Sequence, residues 1–272
     1  MIQQASLKTF ADGPLSKSQI QFYYQTGYLH LKSMFSQDTV VQFVSECERL
    51  EREYPDVDET NLRAQSRLNT EGRTIFDRFD PIIDISSIFA QSANDSTLVA
   101  AIGQLFSDTA LLFKDKLIFK RPGTHGYRIH QDYTYWCELP CPPEAMLSVL
   151  VAIDASSAEN GALEIYPGAH HEHVGPAERP HDIFNPQSGL LTEDQMTGVQ
   201  PTMLPLNPGD ALVFHSLAPH RSGINHGTSS RRTLYFSYSA GKYGDLYDIY
   251  YKNFHGYLRS DRADRADKLY FR

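Results

Sequence analysis

No stretch of this 272-residue chain reaches the roughly 18 consecutive apolar residues that a membrane-spanning helix needs, and the opening Met-Ile-Gln-Gln-Ala-Ser-Leu-Lys has no basic segment leading into an apolar one. Neither a bilayer span nor a secretion signal is expected, so the cytoplasm is the default location. Positive charge is also short. Lys and Arg number 25 against 33 Asp and Glu, giving a formal net charge of −8 and a pI near 5.7. Nucleic acid and anionic membranes reward a basic surface, so neither is an expected partner; a small molecule is. Cysteine is scarce: Cys47, Cys137 and Cys141 form no even disulfide framework and no zinc-ligand pattern, and they are read as reduced thiols.

What the chain does contain is enough apolar material, 41% of 272 residues, for one sizeable core, and a single domain over 1–272 is expected. Val40, Val41, Phe43, Val44, Cys47 and Leu50 recur at helix spacing after Ser36, and a second helix is predicted over 96–113. The pattern then changes to short β-like runs at 116–120, 146–154, 162–166, 211–214 and 233–239, separated by turn signals such as Asn-Gly and Asn-Pro-Gly-Asp. Helices followed by many short strands predict a mainly β jelly-roll with flanking helices. Between 168 and 203 the periodicity is lost while His170, His171, His173, His181 and several prolines gather; a loop of that length reads as a lid or insertion over a site, with its histidines a surface cluster. The charged pseudo-repeat at 259–267 reads as a solvated helix face or tail. Nothing in the pattern fixes an oligomeric state.

His130-Gln131-Asp132, followed 90 residues later by His220 and then by Arg231, carries the chemistry. Two imidazoles and one carboxylate form the ligand set that holds non-haem Fe(II) while leaving positions open for a co-substrate and O2. One intervening residue lets His130 and Asp132 leave a strand on the same face. Taken singly, each residue is better explained by a hydrogen-bonded core histidine or a turn-capping aspartate. Together, with the strand 211–214 delivering His220, they point to a metal. Arg231 could clamp the far carboxylate of a dicarboxylic co-substrate through two parallel hydrogen bonds, and Ser222 could help hold it; Arg232 should face the other way and form an ordinary ion pair.

At these residues the chain resembles the phytanoyl-CoA dioxygenase-like group of Fe(II)- and 2-oxoglutarate-dependent oxygenases. The likeness runs through Gly27-Tyr-Leu-His-Leu31, Phe119-Lys-Arg-Pro122, the His-Gln-Asp, Glu159-Asn-Gly-Ala-Leu-Glu-Ile-Tyr-Pro-Gly-Ala-His170 and the Pro-Gly-Asp to Arg231 segment. The resemblance implies a double-stranded β-helix. It implies iron on His130, Asp132 and His220, 2-oxoglutarate on Arg231 with Ser222, Gln131 and Lys120 as secondary contacts, and O2 as oxidant. Because related halogenases lack the carboxylate, Asp132 implies hydroxylation.

For the substrate, Lys116, Ile118 and Lys120 alternate on one strand face, Arg121 and Arg128 flank a turn, and Tyr127, Tyr133, Tyr135 and Trp136 surround the metal tripeptide. Cations beside aromatics suit a small zwitterion, with Lys116 and Arg128 on an anionic head and Tyr135 and Trp136 beside an ammonium group. Core packing explains the aromatics equally well. The run His-Gln-Asp-Tyr-Thr-Tyr-Trp is similar to that of bacterial aminoalkylphosphonate hydroxylases, which makes C1 hydroxylation of 2-aminoethylphosphonate or an N-methylated analogue the expectation. Alternatives are hydroxylation of an ectoine-like amino acid or an acyl-CoA, or a jelly-roll that binds a metal or ligand without turnover.

Overall fold

The computed structural model describes residues 13–53, 63–175 and 190–260, with side chains through residue 253. In chain order its elements are α1 (Lys17–Thr26), β1 (Tyr28–Leu31), α2 (Gln37–Glu53), β2 (Ala64–Leu68), β3 (Thr74–Phe79), α3 (Ser87–Ala93), α4 (Ser96–Phe106), β4 (Ala110–Lys120), β5 (Met146–Ala152), β6 (Leu163–Ile165), β7 (Thr202–Leu204), β8 (Ala211–His215), β9 (His220–Ser222), β10 (Arg231–Ala240) and α5 (Tyr247–Ser260). A seven-stranded sheet in the order β1-β8-β5-β10-β4-β3-β2 faces a three-stranded sheet in the order β7-β6-β9, and the named pairs are antiparallel. This is the expected double-stranded β-helix.

Strand alternation assigns the two faces of the large sheet different tasks. Leu147, Val149 and Val151 of β5, Val213 of β8, Leu234 and Phe236 of β10 and Leu117 and Phe119 of β4 pack against Phe43, Cys47 and Leu50 of α2 and against α3 and α4. The opposite face changes character across its width. Leu150, Ala152, Leu212 and Phe214 meet Leu163, Ile165 and Leu204 of the small sheet in a second apolar core. Toward β4, β3 and β2 the same face carries Lys116, Lys114, Arg78 and Gln65, which line a cavity. The sandwich is sealed at one side and open at the other.

Two sequence expectations shift. The predicted helix over 96–113 ends at Phe106, where Ser107 adopts a left-handed conformation (φ 52°) and caps it, and 110–113 begin β4, pairing with the far end of β10. A short apolar run is ambiguous between helix and strand until a partner strand is known. Strands β1, β2 and β3 and helices α1 and α3 escaped sequence reading; β2 and β3 face a polar cavity and lack an apolar period. Helix α1 is instead marked by its ends: Ser16 and Gln19 form a reciprocal cap, and Gly27 closes it at φ 81°, where any Cβ would lie 2.6 Å from the His170 ring. The three cysteines are free thiols, as expected.

Helix α5 is fastened to the large sheet through a fully buried carboxylate. Asp115 of β4 accepts the backbone N–H groups of Ile82 (2.6 Å) and Ile83 (2.9 Å) and the Tyr247 hydroxyl (2.7 Å). The Tyr251 hydroxyl accepts the Asp115 N–H (3.1 Å) and lies within hydrogen-bond distance of the Asp80 carboxylate (3.0 Å). Of the pseudo-repeat at 259–267, only the backbone of 259 and 260 falls within the described residues, in α5.

Burial pushes the Asp115 carboxyl up to about 6 despite these donors. A carboxyl whose pKa is higher folded than unfolded binds protons more tightly in the native state, so its contribution to stability grows as pH falls from about 7 toward 4. Urea unfolding of wild type and Asp115→Asn at pH 7 and pH 5 should show the difference moving in favour of wild type at pH 5 by on the order of 1 kcal/mol. A pH-independent difference would mean that Asp115 does not titrate in this range.

Candidate active site

His130 and His220 face each other across a bridge in which each backbone N–H donates to the other's carbonyl, both at 3.0 Å, and their ring centres are 4.2 Å apart. The same local device orients both rings. His130 Nδ1 donates to the carbonyl of Arg128 (2.7 Å) and His220 Nδ1 to that of Ala218 (3.0 Å), two residues upstream in each case. Each Nδ1 proton is thereby fixed, and each Nε2 lone pair is free to point at a common centre. Asp132 completes the set: its Oδ1 is 3.8 Å from His130 Nε2 and 3.9 Å from His220 Nε2. Among the described residues, this is the one group of three or more His, Cys, Asp or Glu side chains gathered closely enough to hold a metal ion. His130 and Asp132 do not leave a strand together, however. Asp132 opens a 3-10 turn, Asp132–Tyr135, that bends its carboxylate back toward the histidines.

The electrostatics favour a cation at the centre. Burial, then the facing His220 ring, pushes His130 down to about 3, so the ring is neutral and ready to donate its lone pair. Burial alone would raise the Asp132 carboxyl, but His220, His130, Lys116 and a hydrogen bond from Ser148 hold it below the ordinary range. The Ser148 hydroxyl donates to Asp132 Oδ2 at 2.6 Å, leaving Oδ1 for the centre. Sequence reading missed Ser148, which lies within an otherwise apolar strand.

Arg231, opposite Lys120 on β4, is buried, with its Nε lacking any partner, and no hydrogen bond or ion pair among the described residues engages its guanidinium. A buried, unpaired guanidinium is costly unless an anion completes it. Thr233, two residues along β10 on the same face, has a buried hydroxyl that is likewise unpartnered. This pair matches the needs of a carboxylate, and Thr233 could have been found from its i+2 spacing. Arg232 points the other way and grips Asp154 through two nitrogens at 2.7 and 2.8 Å, as expected.

Lys120 and Gln131 differ from expectation. Lys120 spends its three donors on the carbonyls of Gly161 and Gly223 and on Ser222 Oγ (3.1 Å), so it braces the loop bearing Ser222. Burial, then nearby Arg231, pulls it down to about 7. Ser222 also accepts the Tyr127 N–H (3.1 Å) and remains at the cavity wall. Gln131 is fully buried and its amide is completely engaged: Nε2 donates to the carbonyls of Glu172 and Leu217 (both 2.7 Å), and Oε1 accepts from Val174 (2.9 Å) and Gly175 (3.2 Å). With no donor left over, its side chain clasps the start of the 168–203 segment instead of reaching toward a co-substrate.

That segment leaves and returns beside the metal tripeptide. Leu190 bridges to His130, Leu191 N–H donates to Ile129 (2.9 Å), and 190–193 line the cavity. Thr202 and Met203 already belong to β7, and 194–196 form a 3-10 turn, so less of the segment is irregular than the sequence suggested. His170 is buried against His171 and His215 and is not a surface residue; His173 contacts Thr134 Oγ1 (3.0 Å). His181 and the stretch 176–189 lie outside the described residues.

The cavity measures about 1120 Å³, and Lys116, Arg128, Tyr135 and Trp136 all line it. Lys116 Nζ lies 4.7 Å from the centre of the Tyr235 ring and has no hydrogen-bond or ion-pair partner among the described residues; burial, then Lys114 and Arg78, pulls it down to about 8. Trp136 does both things the sequence allowed, lining the cavity and packing edge-on against Phe113 at 4.9 Å. Arg121 is turned away and pairs with Glu51 (2.7 Å). Gln65, Arg78, Asp80, Lys114 and Tyr250 also line the cavity and were not singled out from sequence, since strand register and α5 bring them together.

Residues 23–233 match the family model described as phytanoyl-CoA dioxygenase. The chain is 28% identical over 87% of its length to a methylphosphonate hydroxylase of Gimesia maris, covering 85% of that protein. It is 24% identical to a 2-aminoethylphosphonate dioxygenase of an uncultured bacterium, covering 84% of this chain and 82% of that one. Among solved structures, EctD from S. alaskensis, crystallised with 2-oxoglutarate and 5-hydroxyectoine, superposes with a TM-score of 0.72 at 20% identity over 85% of this chain and 78% of that chain.

If Ser148 aligns the Asp132 carboxylate, then Ser148→Ala should weaken Fe(II) or Co(II) binding by about 10- to 100-fold while the fold persists, and His220→Ala should abolish binding. Anaerobic titration followed by Co(II) absorption bands measures both. Undiminished affinity in Ser148→Ala would remove its supporting role, and undiminished affinity in His220→Ala would remove the three-residue centre.

Proposed function

We propose, from the premise that this chain belongs to the phytanoyl-CoA dioxygenase family and is an Fe(II)- and 2-oxoglutarate-dependent dioxygenase, that it hydroxylates C1 of a small organophosphonate. The observation that carries the substrate reading is Lys116, a cation on the cavity wall that also presents Asp132, with no hydrogen-bond or ion-pair partner among the described residues. A phosphonate would supply that missing partner with several strong acceptor oxygens. Two relatives, a methylphosphonate hydroxylase and a 2-aminoethylphosphonate dioxygenase, support the same class.

In this reading His130, Asp132 and His220 would hold the iron. When bound there, iron with 2-oxoglutarate and O2 would supply the oxidising power for hydroxylation of a C–H bond, coupled to oxidative decarboxylation of 2-oxoglutarate to succinate and CO2. The rest is done by the protein's own groups. The backbone carbonyls of Arg128 and Ala218 hold both imidazoles in the donor tautomer. Ser148 keeps one carboxylate oxygen of Asp132 occupied so that the other faces inward. Arg231 and Thr233, buried and unsatisfied, receive the far carboxylate of 2-oxoglutarate, while Lys120 holds Ser222 and the loop around it in place. Lys116 and Arg128, on the same cavity as His130 and Asp132, would draw the phosphonate head to the wall and orient the adjacent carbon. Tyr135, whose ring centre is 6.1 Å from that of His130, and Trp136 provide apolar surface that limits water there.

The test is succinate formation with Fe(II), 2-oxoglutarate and a panel of alkyl- and aminoalkylphosphonates, ectoine and an acyl-CoA, with 31P NMR of the product. A C1-hydroxylated phosphonate is expected. Lys116→Met should raise the phosphonate KM by about tenfold or more with little effect on 2-oxoglutarate, whereas Arg231→Lys should raise the 2-oxoglutarate KM by about 10- to 100-fold, because one charge remains but the two-pronged contact does not. Coupled turnover of ectoine or the acyl-CoA alone would refute the phosphonate reading and leave the oxygenase intact.

A further inference from the structure

One corner of the cavity has the composition of a cation receptor. Asp80, almost fully buried, is steadied by the Tyr251 hydroxyl, and Tyr250 and Trp136 line the same cavity. Acidic and aromatic groups so arranged would suit the ammonium end of an aminoalkylphosphonate. In this chain the corner already contains a cation. Lys114 Nζ is 3.9 Å from Asp80 Oδ2 and 4.9 Å from the centre of the Tyr250 ring, on a side chain only 13% exposed. It arrives there by strand geometry, two residues from Lys116 on the same face of β4, with Lys116 opposite Tyr235 and Lys114 opposite Ser237 on β10.

We propose that Lys114 serves as a built-in ammonium group that fills this corner, making the enzyme selective for amine-free alkylphosphonates over 2-aminoethylphosphonate and its N-methylated analogues. The proposal rests on the phosphonate reading above and departs from the aminated substrate expected from the sequence. A substrate ammonium entering the corner would meet Lys114 as a like charge or would have to displace it from Asp80, and an element that repels the wrong ligand is how close analogues are told apart. Arg78 is no substitute as a counter-charge reader, because it is already held by Asp77 at 2.8 Å. An amine-free phosphonate meets no such penalty: Lys116 is open to its head, and the Lys114–Asp80 corner is left undisturbed.

The experiment uses the enzyme loaded with Fe(II) and 2-oxoglutarate. Values of kcat/KM for methylphosphonate, ethylphosphonate and 2-aminoethylphosphonate are compared in wild type, Lys114→Met and Lys114→Arg. Anaerobic binding is followed in parallel by the fluorescence of Trp136, the one tryptophan in the sequence and a residue of the cavity wall. Wild type should favour the amine-free compounds by about tenfold or more, Lys114→Met should shift that ratio toward the aminated substrate by about tenfold, and Lys114→Arg, which keeps the charge, should preserve it. A wild-type preference for 2-aminoethylphosphonate overturns the proposal even if no variant folds, and so does an unchanged ratio in Lys114→Met. Turnover of no phosphonate alongside turnover of ectoine or an acyl-CoA overturns the substrate reading with it.

Discussion

The two backbone hydrogen bonds exchanged by His130 and His220 are the constraint on which the candidate site depends. They join β9 of the small sheet to the segment that follows β4 of the large one, and they hold two imidazoles at a separation that side-chain packing alone would not enforce. A pair of residues exchanging both bonds leaves little freedom in register. Once the backbones are fixed, each ring is set by a carbonyl two residues upstream, and Asp132 is set by a 3-10 turn and one serine. The donor geometry is therefore written largely in the main chain.

The cavity keeps its cations in unequal states. Lys120, behind the wall, is fully hydrogen-bonded and structural, Arg78 is held by Asp77 and Lys114 lies near Asp80, whereas Lys116 and the buried Arg231 have no ion-pair partner among the described residues. Desolvated cations without partners lower the stability of an empty enzyme, a cost that ligands of opposite charge relieve. Such groups are thus strong indicators of where charged ligands belong, stronger than the number of basic residues nearby.

Much of this was legible in the sequence where the signal is local. The His-X-Asp, the later His and Arg, the strand runs around them and the jelly-roll class all follow from short patterns of residue type. What could not be read is carried by register. Ser148 reaches Asp132, and Gln65, Arg78 and Lys114 share a cavity, only because β2, β3, β4, β10 and β5 lie side by side in one order. Polar strands such as β2 and β3 hide for the same reason, since the face that should advertise burial instead faces the cavity. Gln131 was misjudged because proximity to two candidate ligands in sequence says nothing about which side of an extended backbone it leaves.

Gln131 gives the fold a particular evolvability. Its one amide closes the base of the 168–203 excursion with four hydrogen bonds, and the returning end is pinned separately at Leu190 and Leu191. Because both anchors are made by residues on the described flanks, variation in length and composition between them can leave the donor triad its geometry, and new substrate ranges can be explored at the rim without renegotiating the chemistry beneath.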